Sequence, residues 1–263
     1  MKKIVLFVML AALLLPSELF AWGTTGHRVV AEIAEQNIKS GTKKKIDKLL
    51  DNLPMAYWAN WPDFIKSDKT GQWDNTFIWH YVNAPRNQTK DAFLTYIKGV
   101  KQENIYSEIP KLEKTIEDHV SSSEQKRVAL IFLIHLIGDA HQPMHVGCED
   151  DLGGNRISLL WFNEKTNLHS VWDGKLIDYE KYSYTEYAHI LNIVSKDKKK
   201  ELSAGTLEDW LYESHTIANE IYAGVNNEDR LSYDYSFKYK SVVELQLQRG
   251  GFRLAAVLDK IFK

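Results

Sequence analysis

The sequence predicts an all-α protein built as a single domain. Apolar residues recur three and four positions apart in most segments, the spacing that places them on one face of a helix. Alternating apolar patterns typical of strands are few, and neither an internal repeat nor a Pro/Ser-rich linker divides the chain. With 44% hydrophobic and 12% aromatic residues, the chain can bury a core of the size that one such domain needs.

The helical spacing is clear in seven segments. Residues 27–38 place Val29, Val30 and Ile33 on one face. Residues 128–137 are apolar on nearly every face, so we expect them to form the central buried helix, ending near Gln142 and Pro143. We expect the other helices at residues 43–50, 92–100, 109–120, 207–222 and 242–262. Strands are expected only at residues 77–82 and 157–162.

The first 21 residues have the pattern of a secretory signal peptide. Lys2 and Lys3 precede an apolar run at residues 4–15, and a short segment then ends at Ala21. The run is shorter than the roughly 20 residues that span a bilayer. We therefore expect a signal peptide at residues 1–21 and one mature domain at residues 22–263. This domain would be secreted or periplasmic, without stable membrane association.

Charge and cysteine content limit the kinds of site that the chain can have. The formal net charge is -2, so no basic bias indicates nucleic-acid binding. Bound divalent cations would change this balance, and an anionic substrate is therefore not excluded. The single cysteine, Cys148, excludes an intramolecular disulfide and a zinc site built from cysteines. Any metal must be held by histidine, carboxylate and the chain terminus.

Two His/Asp pairs have a spacing that suits metal binding. His135 and Asp139, like His169 and Asp173, are four residues apart and so lie on one face of a helix. A lone pair of this kind is usually an ion pair, and a lone histidine on an apolar helix is usually a core residue. The first pair, however, lies in the most apolar helix, where a carboxylate is costly unless paired or metal-bound. With His145 nearby, two such pairs favour a polynuclear metal cluster.

Further candidate ligands lie upstream. Removal of the leader would free the α-amine of Trp22, five residues before His27. A free amine and its adjacent carbonyl can chelate a metal ion together with a nearby imidazole. Asp63, in Trp-Pro-Asp, and His80, in Trp-His-Tyr, add a carboxylate and an imidazole.

These motifs together resemble the S1/P1 nuclease family of secreted, zinc-dependent, single-strand-specific nucleases and 3'-nucleotidases, related in fold to bacterial zinc phospholipase C. The resemblance runs in order from Trp22 to Asp173, and the helical C-terminal part carries no diagnostic motif. The matching motifs are Trp22-Gly-Thr-Thr-Gly-His27, Trp-Pro-Asp63, His80-Tyr, His135-Leu-Ile-Gly-Asp139-Ala-His-Gln-Pro-Met-His145, Gly153-Gly-Asn155 and His169-Ser-Val-Trp-Asp173.

The resemblance implies a mainly helical phospholipase C/nuclease-type fold with three zinc ions. The implied ligand sets are Asp63, His80, His135 and Asp139 for the first ion; Trp22, His27 and a shared Asp139 for the second; and His145, His169 and Asp173 for the third. The remaining histidines match no ligand position, and we expect them to be ordinary core or surface residues; they are His119, His141, His189 and His215.

The resemblance also implies an activity on single-stranded DNA and RNA, and on 3'-nucleotides. A zinc-activated hydroxide would attack phosphorus and leave a 5'-phosphate, with Asp63 beside the nucleophile. Asn155 resembles the family's phosphate-site asparagine, and Tyr81 an aromatic on which a nucleobase stacks. Lys66 stands where fungal members carry an arginine that stabilises the transition state. Lysine keeps the charge but loses the bidentate geometry. No obligate protein partner is evident.

Two alternatives remain at this point. A phospholipase C acting on lipid head groups is one, although the superfamily's lipases usually have glutamate where this chain has Asp173. A zinc-binding protein without catalysis is the other.

The chain departs from the family pattern at the loop of residues 147–154. The eukaryotic members rely on disulfides that Cys148 alone cannot form, so the resemblance does not predict the geometry of this loop.

Overall fold

The structure is a computed structural model that describes residues 22–263. The predicted signal peptide, residues 1–21, lies outside the described residues. The described chain is mainly helical, as the sequence predicts. Its helices are α1 (Thr24–Glu35), α2 (Ser40–Leu49), α3 (Met55–Trp58), α4 (Trp61–Phe64), α5 (Lys90–Gly99), α6 (Ile105–Glu117), α7 (Ser123–Asp139), α8 (Leu168–Ser170), α9 (Leu176–Tyr179), α10 (Tyr184–Leu191), α11 (Lys196–Leu202), α12 (Leu207–Ala223) and α13 (Tyr233–Ile261).

Helix α7 is the central buried helix. A capping box between Ser122 and Gln125 starts it, because each side chain satisfies a backbone N–H at the helix N-terminus. Every residue from Ala129 to Asp139 is buried, and α1, α6 and α13 pack against it. The helix ends at Asp139, and a 3-10 turn, Pro143–Val146, follows the short link. Its final turn therefore places polar side chains inside the protein.

Helices α1 and α13 cross closely beside α7. A methyl group built on Gly251 would lie 2.5 Å from the Cβ atom of Ile33, and one on Gly250 would lie 3.2 Å from Val30 Cγ2. The absence of side chains at these two glycines therefore lets the helices approach. Helix α13 begins at Tyr233, nine residues before the predicted start, because the periodicity of its first turns is weak.

A small sheet covers one side of the helices. Strands β1 (Ser158–Trp161), β2 (Glu164–Asn167) and β3 (Arg230–Leu231) form it, in the order β2-β1-β3. The strand predicted at residues 157–162 is confirmed. The strand predicted at residues 77–82 is wrong: Asp74–Ile78 is a 3-10 helix, and Trp79 packs on Phe132 of α7 at 5.1 Å between ring centroids. Trp79 thus faces the helical core rather than a neighbouring strand.

The sequence analysis also missed helices α10 and α11, which are only eight and seven residues long. Their starts are capped by Ser183 and Ser195. Within residues 22–263, no helix combines the length and apolar character needed to cross a membrane.

Candidate metal centre and substrate site

Eight of the side chains predicted as metal ligands come together around the end of α7. Separate elements carry them, so only the folded chain assembles the set. Helix α7 contributes His135 and Asp139, α1 contributes His27, α4 contributes Asp63, the segment after the 3-10 helix Asp74–Ile78 contributes His80, the turn Pro143–Val146 contributes His145, and the α8 region contributes His169 and Asp173. All eight are buried.

Asp139 lies at the centre of the arrangement. Its Oδ2 atom is 2.9 Å from His80 Nδ1 and 3.2 Å from His135 Nε2. Its Oδ1 atom is 3.3 Å from His27 Nε2 and 3.6 Å from His145 Nδ1. One carboxylate thus contacts four imidazoles, and its two oxygens face different partners.

Asp63 completes the group around His80 and His135. The Asp63 Oδ1 atom lies 3.9 Å from His80 Nδ1 and 3.7 Å from His135 Nε2. Within this group, and likewise within the group of His27, His135 and Asp139, one ligand atom from each residue lies within 4.8 Å of the others. The geometry therefore defines two neighbouring clusters that could each hold a metal ion and that share His135.

His145, His169 and Asp173 form a third cluster of the same kind. His169 Nε2 is 3.1 Å from Asp173 Oδ2, and His145 Nε2 is 3.5 Å from Asp173 Oδ1. The two imidazole rings are stacked, with 5.1 Å between their centroids.

Three of the imidazoles are oriented by the backbone. The Nδ1 atoms of His135, His145 and His169 each lie 2.7 Å from a carbonyl oxygen, those of Ala59, His80 and Gly153 respectively. A histidine that donates from Nδ1 to a carbonyl presents a neutral Nε2 with a free lone pair. This is the arrangement in which metal-binding histidines are held.

Several buried polar atoms here have no hydrogen-bond partner among residues 22–263. They are both ring nitrogens of His27, Nε2 of His80, Oδ1 of Asp139 and Nε2 of His145. Unsatisfied buried groups of this kind are rare and costly. Bound cations would satisfy His27, Asp139 and His145, and nitrogen and carboxylate oxygen are donors that Zn²⁺ accepts. The residues present therefore fit metal ions.

The electrostatic environment keeps the carboxylates charged. Burial alone would raise the pKa of Asp63, but His135 and Lys66 lower it to about 2. Burial lowers the pKa of His145, but the Asp139 carboxylate overcomes this and raises it to about 9. A cation that binds His145 would therefore displace a proton from this imidazole and leave it in the neutral form. The cluster thus holds its carboxyl groups in the ionised form that coordinates a cation.

Trp22 lies against the same cluster. Its ring is buried, and the Gly23 N–H donates to the backbone carbonyl of Asp173. A methyl group built on Gly138 would lie 2.8 Å from His27 Nδ1 and 3.8 Å from Trp22 Cδ1. The start of the described chain therefore packs over α7 one residue before Asp139.

Lys66 lies at the edge of the buried clusters. Its Nζ atom is 2.7 Å from Asp63 Oδ1, and its side chain is 23% exposed. The ammonium group is therefore held beside a predicted ligand while remaining accessible from solvent.

Tyr81 and Asn83 lie on an extended segment beside the clusters. The Val82 N–H donates to the carbonyl of His145 at 2.9 Å, and side chains two positions apart share a face. Tyr81 is 40% exposed. The Oδ1 atom of Asn83 is buried without a partner among the described residues. The segment therefore exposes an aromatic ring at Tyr81 and buries an unpaired amide oxygen at Asn83.

The turn before Asn155 brings the backbone close to the third cluster. Gly153 and Gly154 have φ of 64° and 85°, a region that glycine adopts readily. A methyl group on Gly153 would lie 2.3 Å from the carbonyl of Met144. The Asn155 Nδ2 atom donates to the Leu152 carbonyl at 2.8 Å, and its Oδ1 atom has no partner among the described residues.

Asp151 anchors the loop at residues 147–154, whose geometry could not be predicted from the sequence. Its carboxylate accepts from Arg86 at 2.6 Å, from the Gly154 N–H at 2.6 Å and from the Tyr222 hydroxyl at 3.0 Å. The Tyr222 oxygen in turn accepts from the Cys148 N–H at 3.0 Å. Cys148 is a buried free thiol. Polar contacts thus anchor the loop.

The remaining histidines are core or surface residues, as predicted. His119 and His189 are exposed. His141 bonds through Nδ1 to the Ile137 carbonyl and through Nε2 to Arg253. His215 is buried against Phe93.

Comparison with known proteins agrees with this architecture. The sequence profile of the family described as S1/P1 Nuclease matches residues 22–263. The chain belongs to this family. Endonuclease 5 of Arabidopsis thaliana is 31% identical over 92% of this chain and 90% of its own length. Nuclease S1 of Aspergillus oryzae is 29% identical over 95% of both chains, and Nuclease P1 of Penicillium citrinum is 26% identical over 91% of this chain and 97% of its own.

Membership of the S1/P1 nuclease family identifies the chain as a hydrolase that acts on phosphodiester bonds in nucleic acid. The match extends over the C-terminal helices, where the sequence offers no motif. Sequence reasoning missed Asn83 and Asp151. Asn83 could have been found, because it lies two residues after Tyr81 in the segment that follows His80. Asp151 could not, because Arg86 and Tyr222, which it contacts, lie far away in the chain.

Proposed function

We propose that this protein is a zinc-dependent endonuclease that cleaves single-stranded DNA and RNA to products with a 5'-phosphate, and that also hydrolyses 3'-nucleotides. The observation that carries the proposal is the set of three buried His/Asp clusters around Asp139, whose unsatisfied atoms suit bound cations. The exposed ring of Tyr81 beside them supports an unpaired substrate. We propose further that the mature protein begins at Trp22 and acts outside the cytoplasm.

We assign one zinc ion to each cluster and let Asp139, whose oxygens approach His27, His80 and His135, be shared between the first two ions. The first would be held by Asp63, His80, His135 and Asp139; the second by His27, Asp139 and the α-amine and carbonyl of a mature Trp22; and the third by His145, His169 and Asp173. When bound, such ions supply Lewis acidity and lower the pKa of water towards neutrality.

The chain's own residues supply the remaining functions. Asp63 is an ionised carboxylate at the cluster and can accept a hydrogen bond from the attacking water. Lys66 carries a positive charge at the solvent-facing edge of the site, where it can neutralise charge on a phosphoryl oxygen. The amide of Asn155 has an unsatisfied carbonyl oxygen, so it has capacity to help orient the substrate.

The region around Tyr81 favours an unpaired base. Tyr81 directly follows the proposed ligand His80, and with 40% of its surface exposed its ring is accessible. A base can stack on a side chain only if its face is free, which in a duplex requires unstacking. This region therefore supports the preference for single strands.

The Tyr81→Ala variant tests the stacking role. Loss of one stacked base costs about 1–3 kcal/mol, so we expect kcat/KM on single-stranded RNA to fall roughly 5- to 150-fold. Tyr182→Ala is a matched control, since Tyr182 is 41% exposed and Tyr81 is 40% exposed. Equal activity of the two variants would remove Tyr81 from the binding site.

The proposed function itself is tested on protein with a verified Trp22 terminus. Single-stranded DNA and RNA would be incubated with zinc and with a chelator, with phosphatidylcholine as a parallel substrate. We expect zinc-dependent release of 5'-phosphorylated products and no lipid cleavage. Lipid cleavage alone would indicate a phospholipase C. No turnover by zinc-loaded protein would indicate metal binding without catalysis.

A further inference from the structure

Gln142 connects three of the residues that carry proposed metal ligands. It is fully buried, with 0% of its surface exposed. Its backbone N–H donates to the Asp139 carbonyl at 3.0 Å, and its carbonyl accepts from the His145 N–H at 3.0 Å. The residue therefore links the last turn of α7 to the turn that carries His145.

The side chain of Gln142 adds the connection to Asp173. Its Nε2 atom donates to Asp173 Oδ1, and its Oε1 atom accepts from the Met144 N–H at 2.5 Å. The Met144 N–H can only donate and the carboxylate can only accept, so a single orientation of the amide satisfies both. The contact spans 31 residues of sequence.

This contact distinguishes the two oxygens of Asp173. Oδ1 accepts from the Gln142 amide and lies 3.5 Å from His145 Nε2, whereas Oδ2 lies 3.1 Å from His169 Nε2. The amide therefore restrains rotation of the carboxylate and keeps each oxygen facing one imidazole of the third cluster. Groups that orient metal ligands in this way commonly affect metal affinity by 10- to 100-fold.

We infer that Gln142 is a positioning residue for the third metal site, which sets the orientation of Asp173 and fixes the turn that carries His145. The inference rests on the proposed zinc sites. It predicts that loss of the amide weakens the third ion selectively, because among residues 22–263 the Gln142 side chain hydrogen-bonds to Asp173 and Met144 and to no ligand of the other two clusters.

The test compares Gln142→Met with Gln246→Met. Gln246 is a matched control: it is also 0% exposed, and its Nε2 atom donates to the His141 carbonyl at 2.9 Å and to Ser214 Oγ at 3.2 Å, without contacting a ligand. Zinc per chain would be measured by elemental analysis after dialysis at a series of buffered zinc concentrations. Circular dichroism would verify that both variants are folded.

We expect the wild-type protein and Gln246→Met to retain three zinc ions at concentrations where Gln142→Met retains two. The zinc concentration for half-loading of the third site should rise 10- to 100-fold. If Gln142→Met does not fold, Gln142→Asn is assessed in the same way. Asn still caps the turn, but it is one methylene too short to bond Met144 and Asp173 together.

Three results would overturn the inference: full retention of zinc by Gln142→Met, equal losses in both methionine variants, or loss from all three sites at once. Failure of the proposed zinc sites is distinguishable from these, because the wild-type protein itself would then not bind three ions.

Discussion

At the scale of single residues, Asp139 determines how the clusters are connected. Two imidazoles approach each of its oxygens. The His135 and His145 rings hold its pKa well below the ordinary value although burial acts in the opposite direction. The carboxylate is therefore ionised, and its charge attracts the His135 and His145 rings.

Lys66 provides the residue-scale prediction. We expect Lys66→Ala to lower kcat about 10- to 100-fold at saturating zinc, because a charge that stabilises a phosphoryl oxygen in the transition state is removed. Lys66→Arg should restore or exceed wild-type activity, since a guanidinium can bond bidentately to phosphate.

Lys69→Ala is the control for Lys66, because Lys69 is an exposed lysine three residues further along the same segment. It makes the same change in net charge and should leave kcat unchanged. Unaltered turnover of Lys66→Ala would show that the ammonium group has no part in the reaction.

Residue patterns predicted the candidate ligands but not the residues that support them. His135 and Asp139 could be recognised because their spacing on an apolar helix leaves a buried carboxylate that requires a partner. Gln142 and Asp151 could not be recognised, because the partners that reveal their roles are distant in sequence. Asp173 lies 31 residues from Gln142, and Arg86 and Tyr222 lie 65 and 71 residues from Asp151. Their roles depend on which distant segments the fold brings together.

At the scale of elements, the glycine loop connects the third cluster to the solvent-exposed rim. The Gly153 carbonyl accepts from His169 Nδ1, while Leu152, directly before the glycine pair, is 50% exposed and Asn155, directly after it, is half-buried. The same turn therefore orients a candidate ligand and presents candidate substrate contacts. Its shape depends on two consecutive residues with positive φ.

Gly153→Ala tests this dependence. The new methyl group would meet the Met144 carbonyl at 2.3 Å, so the loop must shift and move the acceptor of His169. We expect at least a tenfold loss of hydrolysis, in the range seen when the support of a metal ligand is disturbed, together with a lower free energy of unfolding.

Gly71→Ala separates this effect from backbone strain. Gly71 has a similar φ of 78°, but its nearest neighbour would lie 3.6 Å from the new methyl group. This variant should be destabilised by about 1–2 kcal/mol and remain active. Comparable losses of activity in both variants would contradict the positional role of Gly153.

The sequence predicted the presence of the long helices more accurately than it predicted where they begin and end. The long apolar patterns predicted α1, α7 and α12, because tertiary burial and helical periodicity agree there. The strand predicted at residues 77–82 failed because an apolar run shorter than two helical turns has no distinguishing period. In the folded chain, α7 is the surface against which that run packs.

At the scale of the whole molecule, the C-terminal helices fix the end of α7. The Ala140 carbonyl accepts from Ser214 of α12 at 2.6 Å, and the His141 carbonyl accepts from Gln246 of α13 at 2.9 Å. Carbonyls at a helix C-terminus have no intrahelical partner. Segments without any catalytic motif thus satisfy the backbone immediately after Asp139.

Metal removal tests the contribution of the clusters to the whole fold. An ion present at 100 times its Kd stabilises the folded state by about 2.7 kcal/mol. About 1 kcal/mol shifts Tm by roughly 2–4 °C in a chain of this size. We therefore expect chelation to lower Tm by at least about 5 °C in a calorimetric scan.

Added zinc should restore Tm in that experiment, whereas magnesium should not, because Mg²⁺ prefers oxygen ligands. An identical Tm with and without chelator would show that the buried clusters do not hold ions under the conditions used.

The Asp151 contacts have a practical consequence for obtaining the active protein. Because ion pairs and hydrogen bonds close the loop around Cys148, the chain requires no oxidant or disulfide isomerase to reach its folded shape. A reductant that does not chelate metal should leave activity intact. A chain of residues 22–263 made in the reducing cytosol of an expression host should fold as well as one directed to an oxidising compartment.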